Sequence, residues 1–304
     1  MHSVLGEPMF NEDAAKHFGP EQVGPEQPGT EGALAAVRVC RIDAAGRAEY
    51  TDMLAVEEPL EIRLGIEFDG RRSRRGVSVT MRTPGNDDEL AAGFLFSEGI
   101  LTDRRQIADI HRCATGNVVC VDLRADVAVD FAKLERHFYT TSSCGVCGKT
   151  SLEAVRANLP RQPADVRPLV EASVIHRLPD SLRAAQSAFD RSGGLHAAAL
   201  FDPRGELVSL REDVGRHNAV DKLIGAEFLA GRTPLAESVL LLSGRASFEL
   251  VQKAAMAGIG VLAAVGAPSS LAVELARECG LTVLGFVRED RFNIYTGHER
   301  IVRA

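Results

Sequence analysis

The chain has no tryptophan and only three tyrosines among 304 residues, so it offers few platforms on which unpaired bases could stack. It also lacks a positive excess: 35 Lys and Arg against 42 Asp and Glu give a formal charge of −7, the wrong sign for coating a nucleic acid backbone. Both shortages argue against nucleic acid as a partner. Residues 1–22 carry no basic segment followed by an apolar run, so no secretory signal is read and a cytoplasmic location is expected. One charge-free stretch, residues 254–273, has about the length of a membrane span. Gly258, Gly260, Gly266, Pro268, Ser269 and Ser270 interrupt it, which predicts helix end, buried strand, turn and helix start, with no membrane association. No internal repeat of fixed period and no heptad pattern is visible.

What is present is an ordinary globular composition, 45% apolar and 25% charged, in a chain long enough for one large or two modest domains. Residues 1–33, rich in Pro, Gly, Glu and Gln, cannot form a buried face and are read as a disordered arm. Residues 34–135 form a smaller β-rich subdomain: strands are expected at 36–41, 60–68, 77–82 and 118–123. A single helix, opened by Asp87, Asp88 and Glu89, carries Leu90, Phe94 and Leu95 on one stripe before Gly99 stops it. Residues 136–168 hold a Cys-x-x-Cys loop and a Pro-rich linker. Residues 169–304 alternate short apolar runs with helical stretches, the mark of an α/β core. There, helices are predicted at 181–190, 216–229, 247–257 and 269–278. A hairpin is predicted over 197–201 and 207–210, and strands at 238–242, 261–265 and 282–287. The arginines Arg71, Arg72, Arg74 and Arg75 are read as a solvated hairpin tip, with protein docking as the alternative.

Six cysteines, Cys40, Cys113, Cys120, Cys144, Cys147 and Cys279, are better suited to chemistry or burial than to structural disulfides in a reducing compartment. Only Cys144 and Cys147 have motif spacing, in Thr-Thr-Ser-Ser-Cys-Gly-Val-Cys-Gly-Lys. Small polar neighbours keep the sulfurs reachable. Lys149 and the start of a helix expected over 150–159 favour the nucleophilic thiolate. A structural zinc site would need a second close pair, and Cys113 and Cys120 are too far apart in sequence for that pattern, so no metal is expected. A thioredoxin-like motif would open a helix directly after a core strand, whereas here a Thr/Ser run precedes it. A zinc deaminase would need an upstream His-x-Glu, which is absent.

Three further segments carry candidate ligand-binding residues. Arg216, His217 and Asn218 open a helix, where anions bind well, with Asp213 as its cap; the alternative is a capped surface helix. Ser243, Gly244, Arg245 and Ser247 lie between a buried strand and a helix, a turn able to offer N–H groups and a guanidinium to a diphosphate. The turn from Val265 to Ser270 has similar but weaker features. Phe292, Asn293, Ile294, Tyr295, Thr296 and Gly297 form a short strand in which an aromatic beside polar groups suits a purine; the alternative is an edge strand sealing the sheet.

Taken in order, residues 83–99, 138–149, 212–222, 243–249 and 292–297 resemble the FdhD family, the sulfur carrier required for formate dehydrogenase activity, over roughly residues 35 to 300. The resemblance implies a cytidine-deaminase-like α/β core, a mixed sheet with flanking helices and no catalytic zinc, in a homodimer. It implies a sulfurtransferase that takes sulfur from a cysteine desulfurase as a persulfide. The sulfur then passes to the molybdenum cofactor in its bis-guanine-dinucleotide form, a bound substrate, before that is inserted into the formate dehydrogenase apoenzyme. Cys144 matches the family's persulfide cysteine and Cys147 its loop partner; residues 292–297 match its cofactor-binding segment. Two other classes remain open: a cofactor-binding chaperone without sulfur chemistry, and a thiol-disulfide oxidoreductase.

Overall fold

The structure is a computed structural model and describes residues 32–44, 46–68, 71–113, 116–127, 129, 159 and 167–303. Cys144 and Cys147, most of the expected helix over 150–159, most of the expected linker and the arm 1–31 lie outside the described residues. The first half is built from strands. β1 (Leu34–Asp43) and β2 (Gly46–Ala55) pair as an antiparallel ribbon, exposed along most of its length. β3 (Glu58–Phe68), β4 (Arg71–Arg82), β5 (Ile107–Arg112) and β6 (Val118–Leu123) form a four-stranded sheet in the order β4-β3-β6-β5. β3 and β6 run parallel at its centre. Strand alternation sends Leu60, Ile62, Leu64, Val119, Val121 and Leu123 into the core. It leaves Glu61, Arg63, Cys120 and Asp122 on the opposite face.

α1 (Asp87–Ser97) follows β4 and is buried almost all round, so the expected stripe broadens: Leu90, Ala91, Ala92, Leu95 and Phe96 are all in the core, while Phe94 is only partly buried. Its N-terminus is fixed by Arg82, 1% exposed, whose guanidinium donates to both Asp87 carboxylate oxygens at 3.0 and 3.1 Å. The arginine cluster lies where it was expected, exposed at the hairpin end where β4 begins. Arg72 and Arg74, still about half exposed, also reach across the sheet to Asp122 at 3.1 and 3.2 Å.

The second half confirms the α/β rhythm. After β7 (Val170–Glu171) come α2 (Ala172–Ala185), α3 (Ser187–Ser192), β8 (His196–Phe201), β9 (Leu207–Asp213) and α4 (Arg216–Leu229). They are followed by β10 (Val239–Leu242), α5 (Phe248–Met256), β11 (Val261–Ala264), α6 (Ser270–Cys279), β12 (Thr282–Gly285), β13 (Asn293–Thr296) and β14 (Ile301–Val302). Six of these strands make one mixed sheet in the order β13-β12-β11-β10-β8-β9. Both faces are covered. Ala198, Leu200, Leu240, Leu242, Leu262, Ala264 and Val283 face a core shared with α1, α4, α5, α6 and the four-stranded sheet. Ala199, Phe201, Val239, Leu241, Val261 and Ala263 face α2 through Val174, Ile175, Leu178 and Leu182. Burial on two faces is why these strands read as continuous apolar runs instead of alternating ones. α1 and α4 touch backbone to backbone: a Cβ added to Gly225 would lie 1.8 Å from the Glu89 carbonyl oxygen, and one on Gly93 would lie 1.9 Å from that of Asp221.

Two expectations shift. The helix placed at 181–190 starts at Ala172 and breaks at Gln186, because Pro179 sits inside α2 instead of ending it. A repeat, absent from the sequence reading, is visible in three dimensions. β10 with its loop and α5 has the same sequence of conformations as β11 with its loop and α6. Gly244 and Gly266, Ser247 and Ser269, and Gly258 and Gly280 occupy equivalent places. Among the described residues no helix is long and apolar enough to cross a membrane.

Candidate functional site

β10, β11 and β12 are mutually parallel, and β9 shares their direction because β8 is antiparallel to both β9 and β10. β9, β10 and β11 each lead directly into a helix. The N-termini of α4, α5 and α6 therefore collect along one sheet edge, with their unpaired N–H groups and partial positive charge. The loops there are held by main-chain bonds: Gly266 N donates to Gly244 O at 2.8 Å, Ala246 N to Ala267 O at 3.2 Å, and Ser269 N to Ala246 O at 3.0 Å.

Two of the three predicted segments converge on this edge. His217, in the first turn of α4, lies with Nε2 2.8 Å from a Glu249 carboxylate oxygen and 3.3 Å from Ser247 Oγ at the start of α5. The carboxylate places the imidazole proton on Nε2. Arg216 stands beside it, and its Nε is buried with no hydrogen-bond partner among the described residues. Arg245 is exposed on the adjoining loop. Ser243 Oγ accepts from Ala197 N at 2.9 Å, pinning the loop to β8.

Asn218 turns inward. It is 7% exposed, and its amide donates to Met81 O at 2.7 Å and to Asp213 Oδ1 at 3.2 Å. Asp213 is not a side-chain cap, since Gly215 holds that position and no side chain caps α4. Its carboxylate accepts from Thr83 N and Gly215 N at 3.1 and 2.8 Å and pairs with Lys222 at 2.7 Å, wholly buried. This knot sets the height of the α4 N-terminus above the sheet edge.

The third segment reaches the edge only at its beginning. β13 is antiparallel to β12, so Asn293 pairs with Gly285 near the loops while Thr296 pairs with Val283 further down. Gly297, φ 65°, ends against Thr282 at the opposite edge. Phe292 packs on His176 with ring centroids 5.0 Å apart, Ile294 is exposed, and Tyr295 lies along Gly285 beside Pro268. Thr296 is consumed by Leu281 O and Val283 N at 2.7 and 2.9 Å.

The structure adds His196, which the sequence reading passed over. It opens β8, pairs in register with Asp213, and lines a cavity of about 570 Å³ together with Arg183, Phe189, Ser243 and Val265. Burial, then the neighbouring Arg216 and His217, hold its pKa below the ordinary 6.5 against the opposing pull of Asp213.

A profile of the FdhD/NarQ family matches residues 55–302. The chain belongs to the FdhD/NarQ family. "Sulfur carrier protein FdhD" of Streptomyces coelicolor is 53% identical over 273 residues, 87% of this chain and 94% of that protein. Its namesake in Mycobacterium tuberculosis is 50% identical over 280 residues, 88% and 99% of the two chains. That of Saccharolobus solfataricus is 43% identical over 251 residues, 83% and 91%. The crystal structure of a protein designated a formate dehydrogenase accessory protein, from Desulfotalea psychrophila, has a TM-score of 0.69 at 25% identity, covering 89% of this FdhD/NarQ chain and all of that one.

His196 gives this FdhD/NarQ chain a pH signature. With a folded pKa below the unfolded one, its contribution is fully present above the unfolded value near 6.5. As the pH falls from there through the lower folded value, the unfolded chain takes up a proton that the native site resists, and stability is lost. The urea midpoint is expected to fall between pH 7.5 and 5.5 in the wild type, and to fall less in His196→Gln. Equal slopes in the two proteins would remove His196 as the cause.

Proposed function

We propose that this FdhD/NarQ chain is a sulfur carrier of formate dehydrogenase maturation, and that the sheet edge around Arg216, His217 and His196 binds the guanine-dinucleotide form of the molybdenum cofactor as its substrate. The observation that carries the second part is the buried, unpartnered Nε of Arg216 beside three gathered helix N-termini. Buried donors without acceptors are rare in folded proteins, and a diphosphate supplies acceptors of the right charge. The cavity bounded by His196 and Phe189 has the volume of a nucleotide-sized site. The relatives' shared designation supports the first part.

In this reading the Cys144 thiolate attacks the terminal sulfur of a cysteine desulfurase persulfide; the donor S–S bond breaks and the desulfurase thiolate leaves. Attack by Cys147 on the Cys144 sulfur then forms a disulfide and expels hydrosulfide toward the bound substrate, and a cellular thiol reductant resets the pair. The cofactor is then handed to the apoenzyme. A cytidine-deaminase-like core, a homodimer and a cytoplasmic location belong to the same proposal.

The test is the intact mass of the purified protein after incubation with a cysteine desulfurase and free cysteine, paired with calorimetry of guanosine diphosphate. The wild type is expected to gain one reductant-sensitive sulfur atom and Cys144→Ala none, while Arg216→Ala weakens nucleotide binding about tenfold or more, the loss of one charged hydrogen bond. Wild-type protein that binds nucleotide but never gains sulfur would instead be a cofactor chaperone. Unchanged binding in Arg216→Ala would move the nucleotide elsewhere.

A further inference from the structure

The outer face of the four-stranded sheet carries a second pair of thiols. Cys113 and Cys120 are seven positions apart in the chain, but the β5–β6 ladder folds them together. Cys120 pairs with His111, and Cys113 N donates to Val118 O at 2.9 Å just past the end of β5. The two cysteines are thus diagonal neighbours on one face, and their sulfurs lie 3.6 Å apart. The surroundings differ at the two ends. Cys120 is fully buried, and burial together with the bond to Cys113 raises its pKa. Cys113 is half-buried at the mouth of a turn closed by Gly116, whose N–H donates to Cys113 O at 3.0 Å.

Arg63 and Arg74 complete the face. Each is held by a carboxylate, Glu61 at 2.7 Å and Asp122 at 3.2 Å, and each also senses the charge on both sulfurs. Both guanidiniums lie within electrostatic reach of the dithiol, and burial still holds Cys120 above its ordinary pKa. They disfavour a cation at the neighbouring group of Asp109, His111 and Asp122, where Asp122 is already shared between Arg72 and Arg74.

We propose that Cys113 and Cys120 are a redox site separate from Cys144 and Cys147, a dithiol that closes to an intramolecular disulfide on reaction with a low-molecular-weight disulfide. The half-buried Cys113, the more accessible of the two, attacks as thiolate one sulfur of the small disulfide; that S–S bond breaks and one small thiolate departs. The Cys120 thiol gives its proton to solvent and attacks the Cys113 sulfur of the mixed disulfide, expelling the second small thiolate. Two protein thiols are oxidised and one small disulfide is reduced to two thiols. Bond formation needs the sulfurs to close from 3.6 Å to about 2 Å at the half-exposed end of the ladder.

The sequence supplies a clean readout. Trypsin cuts after Arg112 and Arg124 with no Lys or Arg between, so both sulfurs fall on one peptide free of the other cysteines. Folded full-length protein is incubated with oxidised glutathione, quenched in acid, alkylated under denaturing conditions and digested without reductant. The wild-type peptide is expected to lose two hydrogens and to take up no alkylating agent. Cys120→Ser is expected to stop at the mixed disulfide, with glutathione on Cys113; Cys113→Ser is expected to carry no glutathione and one alkyl group on Cys120. A wild-type peptide with two alkyl groups, or with a persistent glutathione adduct on Cys113, overturns the proposal. The wild-type result decides even where a variant folds poorly.

Discussion

Asp213→Ala is expected to cost about 3–5 kcal/mol of folding stability, the range for breaking a buried ion pair by removing one partner. The side chains of Asp213 and Lys222 are 0% and 2% exposed, so neither charge has water to fall back on. The two single deletions are not equivalent. Without the carboxylate, the Lys222 ammonium keeps only the Thr83 carbonyl at 2.8 Å, and the N–H groups of Thr83 and Gly215 lose their acceptor. Without the ammonium, the Asp213 carboxylate still accepts from Thr83 N, Gly215 N and the Asn218 amide. Lys222→Met is therefore expected to be the milder change, and Asp213→Asn with Lys222→Met to recover part of the loss. Urea midpoints of the four proteins check the order; a Lys222→Met variant less stable than Asp213→Ala would refute the account. Since the same carboxylate seats Gly215, the nucleotide affinity proposed for the Arg216 edge should fall along with stability in Asp213→Ala.

Gly225→Ala is the second large effect, and its sign is the informative part. In an open helix, Gly to Ala gains roughly 0.5–1 kcal/mol from reduced backbone entropy. Here the new methyl would stand 1.8 Å from the Glu89 carbonyl oxygen and 2.8 Å from Gly93 N, both of them backbone atoms of α1 that cannot rotate away. The helices would have to part, loosening Leu90 and Leu95 from Leu223 and Ile224 and the Phe96 ring from that of Phe228, now 4.7 Å away. Overpacking of this kind costs about 3 kcal/mol or more when backbone has to move, several times the entropic gain. Gly93→Ala should behave alike. A thermal midpoint at or above the wild-type value in either variant would mean that the two helices can separate freely.

Several elements were legible because their physics is local. The helix expected at 216–229 and the strand expected at 118–123 match α4 and β6 at both ends. The hairpin predicted over 197–201 and 207–210 forms, its turn held by Asp202 Oδ1 accepting from Arg204 N and Glu206 N, each at 2.9 Å. β2 escaped notice because neither face of the ribbon is buried, and a strand without a core side has no alternation to read. Asn218 and Arg216 are two positions apart and polar alike, yet Asn218 is tied inward to β4 while Arg216 keeps a buried Nε without a partner among the described residues; only the 3.6-residue helical period and the position of β4 separate them. His196 was missed for a related reason. A lone histidine ahead of an apolar run acquires meaning only from Arg216 and His217, brought to it by a strand reversal and a helix start. Glu249 stood inside a recognised motif without a role until the fold placed it against His217.

The doubled strand–loop–helix unit divides the labour between two kinds of atom. Main-chain groups of Gly244, Ala246, Gly266 and Ala267 lock the neighbouring loops to each other, whereas the side chains presented there, Arg245 above all, take no part in the locking contacts described. Architecture is thus written in atoms that every amino acid shares, and selectivity in atoms that substitution can exchange. A lineage can retune what this edge prefers, one side chain at a time, without renegotiating the scaffold beneath it.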